Sequence, residues 1–111
     1  MIVTIRLEAD WGLPPYYVDE GDGPFELYES DDFAERFALP EHVICALDHW
    51  DQLYQRVLNW DDPASSRFAS PADERHFYEQ GRVVSRLLRR HVPADVRIKY
   101  VGDGNIPDEY Y

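Results

Sequence analysis

Residues 40–59 read PEHVICALDHWDQLYQRVLN, and this stretch decides how the rest of the chain is read. Val43, Leu47, Trp50, Tyr54 and Val57 recur at i, i+4, i+7, i+11 and i+14, which is one stripe of an amphipathic helix. Ala46, Leu53 and Leu58 widen the stripe. Pro40 suits the first turn, because the N–H it lacks would find no helical partner there. Asp48, Asp51, Gln52 and Gln55 fall on the other side, so the pattern predicts a solvated face for them.

Towards higher numbers, Asn59–Ser70 reads as a loop. Ser70, Pro71, Asp73 and Glu74 then supply an N-cap, a first-turn proline and first-turn acids, each of which favours a helix start. The helix should run to about His91, burying Phe77, Gly81, Val84, Leu88 and His91, with Leu87 alongside. Gly81 costs about 1 kcal/mol in mid-helix against alanine. Its place on the buried stripe predicts a notch for a closely approaching aromatic or helix. Arg89 and Arg90 suit the last turn, where the helix dipole favours cations. Val96–Val101 alternates as a strand, and residues 102–111 are expected to be a flexible tail, made of a turn at Gly102–Asn105 and the segment Ile106–Tyr111.

Towards lower numbers, Ser30, Asp31 and Asp32 can cap a short helix through Phe37, and Phe25–Tyr28 is a candidate strand. Residues 10–24 hold three prolines and three glycines and read as loop, enclosing a short extended piece at Tyr16–Val18. Residues 2–8 carry the β-branched alternation of a strand. The expected fold is a single α+β domain over residues 1–111. It has a small sheet of two to four strands, with two long amphipathic helices packed on one face. The first strand and the one at 96–101 are expected to be neighbours.

Charge narrows the function classes. The 111 residues carry 22 Asp and Glu against 11 Lys and Arg, a formal net charge of −11. That balance disfavours non-specific nucleic-acid binding and docking on an anionic membrane, since both need a basic surface. No apolar run reaches the length of a membrane span, and residues 1–8 lack the layout of a signal peptide. The single cysteine, Cys45, makes no intrachain disulfide and fits a reducing cytoplasm. The charge is also segregated. From Glu8 to Glu35 there are ten acids and no Lys or Arg, whereas residues 67–100 carry eight basic side chains and four acidic ones. Such asymmetry suits either plain solubility or the steering of a cationic partner.

Several constellations invite chemistry. His42, Cys45 and His49 share one flank of the 40–59 helix, but no second pair at a metal-ligand spacing accompanies them. Asp61, Asp62, Ser65, Ser66 and Arg67 form a polar cluster in the interhelical loop, without the base and orienting group that nucleophilic catalysis needs. Asp19–Gly23 fails as a calcium loop, because positions 3, 5 and 6 counted from Asp19 are Gly21, Gly23 and Pro24. Arg75, Arg82, Arg86 and Arg89 share a stripe that suits helix solvation or pairing with acids better than phosphate contact. Trp11, Tyr16 and Tyr17 lie within the acidic stretch and divide between core and interface roles, tyrosine and tryptophan being favoured at binding hot spots.

Leu47, Trp50 and Tyr54, the run Leu58–Pro63, then Phe68, Phe77, Gly81 and a strand ending at Tyr100 form a pattern. It resembles a group of small acidic proteins of high-GC bacteria, similar in general character to the immunity proteins that neutralise bacterial toxins. The resemblance covers about half the chain and brings no site residues with it.

Together these readings lead to the expectation of a cytoplasmic binding protein, without catalytic residues, metal or cofactor, that inhibits a basic partner such as a toxin. Asp19, Glu20, Asp22, Glu26, Glu29, Asp31 and Asp32 would cover the partner's basic active site, and Tyr16 and Tyr17 would supply the desolvated anchor. The rivals are a small metal-dependent hydrolase built on Asp61, Asp62 and the histidines, and an accessory subunit of a larger complex.

Overall fold

Alternation along three short segments builds the middle of the sheet. β1 (Thr4–Leu7) buries Ile5 and Leu7, β2 (Tyr16–Asp19) buries Tyr16 and Val18, and β4 (Arg97–Tyr100) buries Ile98 and Tyr100. These facts come from a computed structural model, which describes residues 1–57, 67–102 and 106–111. β3 (Glu26–Tyr28) and β5 (Glu109–Tyr110) form the edges, in the order β3-β2-β1-β4-β5. β1 and β4 run parallel with Ile5 beside Ile98, and the other pairs are antiparallel. The neighbouring first and fourth strands were expected. The mixed five-stranded sheet exceeds the two to four strands expected, because residues 109 and 110 add an edge strand where the sequence reads as tail.

The three helices α1 (Ser30–Arg36), α2 (Glu41–Gln55) and α3 (Pro71–Arg89) lie in the chain between the antiparallel meander and β4. A parallel pair needs such a crossover, since a tight turn cannot join two parallel strands. Ser70 caps α3 by accepting a hydrogen bond from the Asp73 N–H at 3.1 Å. Ser30 does not cap α1. Glu29 is the cap residue there, with no side-chain bond, and the Ser30 hydroxyl is engaged elsewhere.

One core joins sheet and helices. Trp50 of α2 stacks on Phe77 of α3 at 5.5 Å and meets the Tyr100 ring edge-on at 5.7 Å. Gly81 is the expected notch: a Cβ there would lie 2.0 Å from the Tyr100 hydroxyl. Tyr78 and Ser85, outside the predicted stripe, are also buried, and Ser85 satisfies its hydroxyl on the Gly81 carbonyl at 2.7 Å. The arginine stripe of α3 is partly consumed in holding the segment beyond it. Arg82 pairs with Glu109 at 2.9 Å, and Arg89 donates to the carbonyls of Val96 and Pro93 and to the main-chain oxygen of Tyr111. No helix among the described residues is long and apolar enough to cross a membrane.

Candidate functional site

β2 places the two tyrosines on opposite faces of the sheet, as strand geometry requires. Tyr16 is 0% exposed, stacked on Phe33 at 4.5 Å, with its hydroxyl donating to Asp48 Oδ1 at 2.5 Å. Burial and the Asp48 carboxylate both push its ionisation far above the ordinary tyrosine range. An interface anchor needs reachable area, so the expected anchoring role of Tyr16 is corrected to a core one. Tyr17 lies on the helix-free face, where the Arg6 guanidinium sits 4.4 Å from its ring centroid and 4.5 Å from that of Phe25.

The expected acidic set is divided in the same way. Asp19 is the last residue of β2, and its Oδ1 accepts the Gly21 N–H of the β2–β3 connection at 2.8 Å. Gly21 has φ +102, and a Cβ there would press to within 2.6 Å of Met1. Glu20 is tied to Arg36 of α1 by two hydrogen bonds of 2.7 and 2.8 Å, which hold its carboxyl below the usual range. Burial raises the ionisation of Tyr28, and the charges of Glu20, Glu26 and Asp32 add to it. Asp22, Glu26, Glu29, Asp31 and Asp32 are exposed and form no ion pair among the described residues. The β3 edge and the start of α1 therefore present a rim of unneutralised carboxylates.

Behind that rim is a cavity of about 450 Å³ that the sequence reading missed. Residues 12–16, Glu29, Ser30 and one flank of α2 line it. Gln55 clamps the loop onto that flank by accepting the Gly12 N–H at 3.0 Å and donating to the Asp10 carbonyl at 2.7 Å. The Trp11 indole adds a bond to the Tyr54 carbonyl at 3.2 Å and stacks on its ring. Thus the flank of α2 predicted to be solvated is covered in part: Asp51 is buried, Asp48 and Gln55 are half-buried, and Gln52 is exposed as expected. Asp48 accepts from Tyr16 on one oxygen and from Ser30 on the other, the latter at 2.6 Å, which ties α1 to α2. Asp51 is 8% exposed and, among the described residues, receives only a 3.3 Å bond from Gln55, at Oδ1. Desolvation raises its pKa to about 6; the Gln55 bond opposes this and the nearby Asp48 charge adds to it. A signal was present in the polar i, i+3 and i+7 spacing of Asp48, Asp51 and Gln55. Helical periodicity alone cannot say which loop will lie across a polar flank.

The other constellations gain less. His42, Cys45 and His49 are exposed, His42 meets His91 edge-on at 5.5 Å, and no group of three His, Cys, Asp or Glu able to hold a metal occurs among the described residues. Asp61, Asp62, Ser65 and Ser66 lie outside the described residues, and Arg67 is exposed.

The family model described as Serratia CdiI immunity protein-like matches residues 3–103. The chain belongs to that family. No curated protein matches it. The match to the CdiI-like family runs from β1 through β4, so it takes in the acidic rim and the cavity as well as the 47–100 stretch whose pattern resembled small acidic proteins. The immunity-protein character expected from that resemblance is supported by the match, and with it the expectation of a toxin as partner.

Proposed function

We propose that this CdiI-like protein is a cytoplasmic immunity protein that binds a cationic toxin and covers its basic active site with the acidic rim. The observation that carries the reading is the family match over the same residues that hold the unpaired carboxylates. Asp22, Glu26, Glu29, Asp31 and Asp32 are the steering charges, with Asp19 and Glu20 at the margins already engaged by Gly21 and Arg36. Tyr17 is the aromatic left to contribute contact area, and it does so from the helix-free face. Like-signed carboxylates without counterions raise the local potential and so speed encounter with a basic protein, most strongly at low salt.

The test is capture from the source lysate at low salt, followed by expression of each captured protein with and without this chain. A basic protein that arrests growth alone, and does not when the chain is present, establishes the reading. A captured toxin that is acidic, or whose association rate ignores salt, overturns the charge mechanism while leaving immunity intact.

A further inference from the structure

The cavity behind the rim adds a specific contact to that reading. Its lining includes three carboxylates, Glu29, Asp48 and Asp51, and no cationic side chain. Among the described residues, neither Asp48 nor Asp51 takes part in an ion pair. Asp48 has both oxygens satisfied by hydroxyl donors, so it is held in place while its charge stays uncompensated. Asp51 is more than nine-tenths buried, accepts one long bond at Oδ1, and receives none at Oδ2 among the described residues. A largely buried carboxylate with one unbonded oxygen and no counterion is a ready acceptor for an incoming cation.

The shape of the cavity narrows the choice of cation. Leu13, Pro14 and Pro15 provide apolar wall beside the carboxylates. Apolar lining beside carboxylates matches a side chain with a methylene stem and a charged head. A planar guanidinium can bridge two carboxylates through its several N–H groups, and it loses less on leaving water than an ammonium does. Glu29 belongs to both the rim and the cavity, so a partner seated on the rim has the cavity within its footprint.

We propose that this cavity receives an arginine side chain of the bound toxin, with Asp51 and Asp48 as its acceptors. The proposal rests on the immunity reading for the identity of the partner, but the site can be tested without the toxin. The probe is N-acetyl-arginine amide, titrated at neutral pH into the isotopically labelled chain and followed by NMR. The neutral citrulline analogue and N-acetyl-lysine amide serve as controls. The expected result is saturable shifts at Gly12, Ser30, Asp51 and Gln55 with the arginine probe, and a smaller response to lysine. Asp51→Asn, which keeps the side-chain volume, should weaken binding about tenfold, and the Asp51 carboxyl should titrate at lower pH when the probe is bound. Shifts no larger than those caused by citrulline, an equal response to lysine, or binding unchanged in Asp51→Asn would each overturn the assignment. Those results would leave the capture experiment untouched, and a failed capture would leave the arginine site standing as a cation pocket for another protein.

Discussion

The two edges of the sheet treat charge in opposite ways. At the β5 edge both acids among the described residues have an assignment within the fold: Glu109 is paired with Arg82, and Asp108 lies 3.4 Å from Lys99 while accepting the Gly102 N–H. Arg89 spends its guanidinium on carbonyls of the same region. At the β3 edge one pair, Glu20 with Arg36, is formed, and five neighbouring acids have none among the described residues. Charge at the first edge maintains structure. At the second it adds little to stability and remains available to a partner, because exposed like charges contribute no favourable pairing.

This contrast can be broken from either side. The largest effect is expected at the packing that supports the β5 side. Gly81→Ala drives a Cβ into Tyr100, and should cost about 2 kcal/mol despite the better helix propensity of alanine. Urea unfolding would measure it. Arg89→Ala removes several bonds to carbonyls and should cost about 1–2 kcal/mol, with early exchange of the amides of β5.

Asp51 gives a smaller change of opposite sign. Its folded pKa, about 6, lies above its unfolded value, so the folded state binds the extra proton. Stability from this group is complete below the unfolded pKa and is lost as pH rises through about 6. Thermal melts should therefore show the protein more stable at pH 5 than at pH 7. Asp51→Asn should gain about 1 kcal/mol at pH 7 and flatten that slope. At still lower pH the trend reverses, because Glu20 and Glu109 have depressed pKa values and lose their partners on protonation. The smallest change in stability is expected at the β3 edge. Neutralising Glu26, Asp31 and Asp32 together should shift stability by no more than about 0.5 kcal/mol. The same variant should slow toxin association about tenfold at low salt, as read by stopped flow.

Periodicity carried most of the architecture. The stripe of α2, the Ser70 cap of α3, the Gly81 notch and the adjacency of β1 and β4 were all legible in the residues themselves. What escaped depends on contacts between distant segments. Two residues are too few to announce β5, which exists because β4 and Arg82 offer Tyr110 and Glu109 their partners. Asp51 looks like a solvated helix residue until Gln55 pins residues 10–13 across it. Tyr16 and Tyr17 were indistinguishable as composition, and only the phase of β2 sends one inward and the other outward. The acidic rim was visible as a run of charge. The cavity it borders needed the fold.

The parallel pairing of Leu7 with Tyr100 has a kinetic side as well. The strand that completes the centre of the sheet is made after all three helices. Until it emerges from the ribosome, β1, β2 and β3 can form only a meander whose inner edge is open. Closing so long a loop is entropically expensive, and sheets built on distant contacts fold slowly. An unfinished or slowly folding chain therefore exposes the backbone of β1 to pairing with other strands. The acids clustered at the other side of that meander give the nascent chain mutual repulsion during this interval, before any partner is bound.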